Sequence, residues 1–168
     1  MKKHFLALAA LAMMAAGPAA AQFDLGIGYH HIDDSPVSVG GLVGSAGYPI
    51  VVDENFSVIP ELRVGFGIND DTVLGTKVEL DHIFGVAARL QYELNESFYG
   101  YIVPSYAQYK FSASATSSAG SASISGSTNE FGIGLGLGFR ATDTVGLEFA
   151  YENVDGSDII SVTTRFSF

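Results

Sequence analysis

Nine residues at the C-terminal end alternate strictly between two kinds of side chain. Ile160, Val162, Thr164, Phe166 and Phe168 fall on one side of an extended chain, and Ser161, Thr163, Arg165 and Ser167 on the other. Only a strand holds such a pattern on two clean faces. The apolar face must meet either a protein core or lipid. A segment that stops on an aromatic, with no tail to cover it, fits a strand with lipid outside, a polar interior and aromatics at the interface.

The same period recurs through the chain, predicting eight strands bounded by turn residues. The first covers residues 23–32, with Phe23, Leu25, Ile27 and Tyr29 on the apolar face. The second, residues 37–51, is glycine-rich and its Val39, Gly41, Val43 register is blurred. The third, residues 56–68, turns Val58, Pro60, Leu62, Val64, Phe66 and Ile68 outward. The fourth, residues 76–92, turns out Val78, Leu80, Phe84, Val86, Leu90 and Tyr92. The fifth, residues 98–111, is read with Tyr99, Tyr101, Val103, Tyr109 and Phe111 outward. In the sixth, residues 129–140, Phe131, Ile133, Leu135, Leu137 and Phe139 alternate with Gly132, Gly134, Gly136 and Gly138. The seventh, residues 145–152, shows Val145, Leu147, Phe149 and Tyr151, and the C-terminal segment is the eighth. Pro60 and Pro104 each remove a ladder donor and ask for a local irregularity.

Short turns are expected at residues 52–55, 93–97 and 141–144, and polar loops at 32–36, 69–75, 112–128 and 153–158. The segment 112–128 is built from Ser, Ala, Gly and Thr, which reads as a surface loop unable to bury a core. An even number of antiparallel strands can close on itself, the condition for a sheet to cross lipid. The fold class is therefore all-β: an eight-stranded antiparallel up-and-down transmembrane β-barrel, with both ends and the short turns in the periplasm.

The N-terminal region supports export. Lys2 and Lys3 precede an apolar run over residues 5–16, and Ala19, Ala20 and Ala21 offer a cleavage site before Gln22. Residues 1–21 are assigned to a signal peptide and 22–168 to one barrel domain. No later segment offers the roughly 18 uninterrupted apolar residues of a membrane helix. No cysteine occurs, so no disulfide contributes. The chain carries 18 acids against eight Lys and Arg, two of them in the signal. So acidic a chain is not a nucleic-acid binder. A mean hydropathy of +0.29 is high for a protein with a polar surface, but suits one whose surface is lipid-facing.

With the apolar faces outward, Arg63, Arg89, Arg140 and Arg165 point inward, together with Glu61, Glu79, Asp81, Glu130, Glu148 and Glu152. Opposite charges on different strands of a narrow bore can pair across it. A barrel of eight strands is just wide enough to be filled by side chains. A structural charge network is the first reading, and a gated ion path the second. Eleven further acids fall in turns and loops without the spacing of a calcium loop, so no metal or cofactor site is assigned.

Catalytic motifs are not in evidence. His30 and His31 are adjacent on a strand and point to opposite faces, so they cannot easily chelate one ion. His82 is placed on the lipid face beside Tyr109, with no acid to orient it. The glycine run has no following helix and cannot cradle a phosphate. An enzyme is not expected.

The export signal, the eight alternating stretches and the terminal Arg165-Phe166-Ser167-Phe168 together resemble the small outer-membrane β-barrel superfamily of Gram-negative bacteria. The transmembrane domain of OmpA and the small OmpX/Ail-like barrels are similar in plan. That resemblance implies an outer-membrane location and contact with its lipid and lipopolysaccharide. It also implies escort by periplasmic chaperones, with Phe166 and Phe168 as the signal read by the insertion machinery. The implied function is a structural barrel with a filled lumen, serving envelope integrity or surface interaction. Two alternatives stay open: a small porin-like or gated channel, and a soluble periplasmic lipocalin-like barrel with the faces reversed.

Overall fold

In the computed structural model, which describes residues 23–73, 75–117 and 120–168, the alternating stretches wind into a single antiparallel ring. The export signal expected over residues 1–21 lies outside the described residues. The strands are β1 (Asp24–Asp34), β2 (Val37–Gly47), β3 (Phe56–Asn69), β4 (Thr76–Glu93), β5 (Phe98–Ser117), β6 (Gly120–Arg140), β7 (Val145–Val154) and β8 (Ser157–Ser167). Each pairs with the next, and β8 pairs with β1 from Asp24↔Ser167 to Asp33↔Asp158, which closes the ring. Two short pieces, Ile50–Val51 beside β3 and Asp71–Val73 beside β4, lengthen its rims. Closure satisfies the backbone groups that lipid cannot.

The outside carries the expected apolar belt. On β6 the outward residues run from Phe131 to Phe139, and on β4 from Phe84 to Tyr92, nine residues each. A tilted strand needs about 9–11 residues to cross a bilayer. Leu135 is 62% exposed, so the apolar face lies outside, opposite to the lipocalin-like arrangement. β4, β5 and β6 continue well past this belt, and the wall they form rises above it on one side.

Three turns sit at the end of the barrel that holds both chain ends, and they share one chemistry. In residues 52–56, 94–98 and 141–145 the first amide donates to the carbonyl of the fifth residue, at 2.9 Å in each case. Asp53, Asn95 and Thr142 then accept backbone amides through their side chains, at 2.9, 2.9 and 3.0 Å. An Asx or hydroxyl oxygen standing in for a backbone acceptor is what makes these residues turn formers.

At the far end the strands go further than expected. The predicted loops at 32–36, 69–75, 112–128 and 153–158 are largely paired strand. β5 and β6 remain in register out to Ser117↔Gly120, so the described residues of 112–128 are paired strand instead of a surface loop. Ser and Ala alternate there, a period-2 pattern that low complexity had masked. β7 and β8 close through Asp155 and Gly156, both at positive φ, a turn that Asp-Gly favours. The second strand is shorter than expected, ending at Gly47 before the separate piece Ile50–Val51.

Two faces also differ from expectation. On β5 the outward residues are Ile102, Pro104 and Tyr106, while Tyr99, Tyr101, Val103 and Tyr109 are buried inside. Both alternating sets of this strand are apolar or aromatic, so periodicity could not choose between them. On β4 the register shifts between Leu80 and His82, with Asp81 as the extra residue. A one-residue bulge reverses every side chain beyond it. Leu80 is therefore buried inside and Glu79 turns out. His82 does face outward, but opposite Lys110 instead of beside Tyr109. Each proline is paired on one side and meets a gap in the ladder on the other. Pro60 lies where β2 has left β3, and the β4–β5 ladder passes from Ala87↔Ser105 to Leu90↔Ile102 around Pro104.

Candidate functional site in the barrel interior

The bore holds two zones in series. Nearer the chain ends is a charged tier, and beyond it an apolar cluster.

The charged tier brings together Arg63, Arg89 and Arg165 with Asp24, Glu61, Glu148 and Glu152. Arg89 is 0% exposed and pairs with three carboxylates: Asp24 at 2.6 Å, Glu61 at 3.4 Å, and Glu148 through Nη1. Arg165 meets the same three, Glu148 at 2.7 Å, Glu61 at 2.9 Å and Asp24 at 3.2 Å. Its Nη1 also donates to Ser45 Oγ at 2.9 Å. Arg63 spans from Glu61 at 3.3 Å on its own strand to Glu152 at 2.8 Å on β7. Hydroxyls complete the carboxylates' coordination: Tyr99 donates to Glu148 at 2.8 Å and Ser105 to Glu152 at 2.8 Å. Buried charge is tolerated only when paired and hydrogen-bonded in this way. Glu61 Oε1 and Arg89 Nε lack a hydrogen bond of good geometry, and face each other as an ion pair at 3.4 Å.

The glycines of β6 make space for these partners. A Cβ at Gly138 would lie 2.1 Å from Tyr99 Cζ, and one at Gly136 would lie 2.3 Å from Tyr101 Cζ. The room that an inward glycine stripe leaves is thus filled by tyrosine rings, whose hydroxyls reach Glu148.

The predicted inward charges divide into four groups. Arg63, Arg89, Arg165, Glu61, Glu148 and Glu152 meet in the tier. Arg140 is at the chain-end rim, bidentate to Glu93 at 2.5 and 2.6 Å and stacked on the Tyr99 ring at 4.7 Å. Glu130 faces inward but lines the far chamber, apart from the tier. Glu79 and Asp81 are not inward: Glu79 pairs with Lys77 at 2.6 Å on the outer surface, and Asp81 accepts from Ser112 Oγ at 2.8 Å. The β4 bulge is the cause. Asp24 was missed, although its position out of phase with Phe23 and Leu25 marks it as inward. Tyr99 and Tyr101 were missed because their strand's face was read in reverse. The signal that finds them is the facing glycine pair.

Beyond the tier, Ile32, Val39, Val43, Leu80, Ile83, Ala107, Tyr109, Val154 and Ile159 form a buried apolar cluster across the bore. Phe166 is 36% and Phe168 is 71% exposed on the outside, with the Phe168 amide donating to Phe23 O at 3.0 Å.

A closed ring with a nine-residue apolar belt and a charged interior defines a transmembrane β-barrel. The chain belongs to the outer membrane protein beta-barrel domain family, which it matches over residues 5–166, and it is a protein of the bacterial outer membrane. Solved barrels are similar in fold. Neisserial surface protein A superposes with a TM-score of 0.64 at 15% identity, over 89% of this chain and 98% of that one. The N-terminal barrel domain of Pseudomonas aeruginosa OprF gives 0.61 at 14%, over 86% and 97%. The attachment invasion locus protein Ail of Yersinia pestis gives 0.59 at 14%, over 88% and 97%. No curated protein sequence matches the chain.

Proposed function

We propose that the protein is a structural barrel of the outer membrane whose lumen is closed to solutes, serving envelope integrity and presenting its far-end hairpins at the surface. The chain-end rim is read as periplasmic. One observation carries the proposal: the charged tier and the apolar cluster stand one behind the other in the bore. A solute would have to part Arg89 and Arg165 from shared carboxylates and then displace packed aliphatic side chains. Separating a buried pair costs about 3–5 kcal/mol.

Conductance in planar bilayers tests this reading. The purified barrel is expected to leave the baseline unchanged across a wide voltage range. Stable unitary steps would replace it with the channel reading.

Lipid, lipopolysaccharide, chaperones and the insertion machinery are the partners this reading requires. Phe166 and Phe168 face outward at the closing seam, which supports reading them as the insertion signal. Ail has been solved in complex with the heparin analogue sucrose octasulfate. The present barrel offers little to such a polyanion. Among the described residues its arginines are committed to the bore and its inner rim, Lys77 already answers Asp70 and Glu79, and Lys110 stands singly on the outer wall opposite His82.

A further inference from the structure

Above the apolar cluster the barrel opens toward its far end into a cavity of about 280 Å³. This is near the lower end of the range for small-molecule pockets, roughly 300–1,000 Å³. Val43, Leu80, Ile83 and Ala107 of the buried cluster lie further down their strands and form its floor. Ile32, Val39, Val78, Val154 and Ile159 supply apolar wall. Tyr109 and Phe111 add two near-parallel rings, 6.4 Å apart and inclined by 12°. The charged groups lining the cavity are Asp34 and Glu130, both acidic. Among the described residues neither takes part in an ion pair, and nearby Lys77 is turned outward to Asp70 and Glu79. Because β4, β5 and β6 rise past the apolar belt, the chamber stands at the water side of the membrane.

We propose that this chamber binds a small amphiphilic cation, an aromatic or short alkyl ammonium taken from the external medium. Each half of such a ligand has a counterpart. The hydrocarbon part leaves water for the aliphatic wall. The ammonium meets two carboxylates without a cation, and two aromatic rings line the same cavity. An anion would meet like charge, and a neutral apolar ligand would cover part of the half-buried Glu130 without giving it a partner. The surrounding acidic surface raises the local concentration of cations. A long acyl chain fits less well, because the floor closes the cavity below it.

The test uses the folded barrel in zwitterionic nanodiscs, with the methyl resonances of Ile32, Val39, Val154 and Ile159 as reporters. The probes are benzylammonium, benzyl alcohol and benzoate, with octanoate as the long-chain comparison. Benzylammonium is expected to give saturable shifts, with about tenfold weaker binding for the alcohol and none for benzoate. Replacing both carboxylates (Asp34→Asn with Glu130→Gln) should remove the preference for ammonium over alcohol, while heat-dependent SDS mobility reports that the barrel still folds. Val39→Phe, which fills the chamber and keeps the carboxylates, should weaken all binding. Equal or non-saturating responses to the three probes would overturn the proposal, as would a preference for ammonium that survives in the double variant. A stronger response to octanoate than to benzylammonium would also overturn it, in favour of an acyl-chain site.

Discussion

Gly138 of β6 and Tyr99 of β5 share one volume: a methyl at Gly138 would stand 2.1 Å from the Tyr99 ring, which in turn donates its hydroxyl to Glu148 at 2.8 Å. The glycine therefore sets where the ring lies, and the ring sets one end of the charged tier. Gly138→Ala is expected to destabilise the barrel by about 1–3 kcal/mol through overpacking. Urea titration of the barrel folded into lipid vesicles measures it. Gly100→Ala is the control, since its nearest neighbour would be a Leu137 methyl at 3.6 Å, an ordinary contact. Equal losses at both sites would mean that the Tyr99 ring does not define the position.

Arg89 has no exposed side-chain surface and three carboxylate partners. Arg89→Met should cost about 3–5 kcal/mol, because it leaves buried carboxylates short of a cation. Adding Glu148→Gln to it should recover part of that loss, giving a double variant more stable than the sum of its parts predicts. Strict additivity would show that the two side chains do not couple.

The orientation of β5 has its own test. Ile102→Arg is expected to cost about 2–4 kcal/mol if the residue lies near the bilayer midplane on the lipid face. Val103, 0% exposed, should resist labelling as Val103→Cys, while Ile102→Cys should react with a lipid-soluble maleimide. The reverse labelling pattern would restore the orientation read from sequence.

Assembly can be followed by comparing boiled and unboiled outer-membrane fractions in SDS gels. The folded barrel should migrate apart from the heated chain. Removing Phe168, which is 71% exposed at the seam, is expected to lower the folded fraction in cells while leaving refolding into detergent micelles intact. Normal assembly in cells would deny this residue a part in the insertion signal.

Ionic strength separates the two kinds of ion pair. The exposed Lys77–Glu79 pair contributes little and is screened by salt, so Lys77→Ala should leave stability nearly unchanged. The buried tier should hold its contribution from low salt to high, as read by the urea midpoint of the Arg89→Met variant against the parent.

The lipid face of β3, β6, β7 and β8 was legible in the alternation itself, because small or polar residues fill most of the alternate places, with exceptions such as Ile59 and Ile159, and only one face can meet lipid. Closure followed from the even strand count, and the inward course of Arg63, Arg89 and Arg165 followed from the same phase. The turn residues marked where strands end at the chain-end rim. At the far end, Ser-Ala alternation carried too little hydrophobic contrast to reveal paired strands. What only the tertiary structure decided is of two kinds. β5 is apolar on both faces, so its orientation depended on a neighbour: the glycines of β6 accept Tyr99 and Tyr101, and that contact crosses strands. β4 is periodic only as far as Asp81, where one extra residue reverses the phase and moves Glu79 out and Leu80 in. A period along one strand says which residues share a face. Where both faces are apolar, which of them meets lipid is set by steric fit and register between strands, as is which charges meet across the bore, and no single strand's sequence contains either.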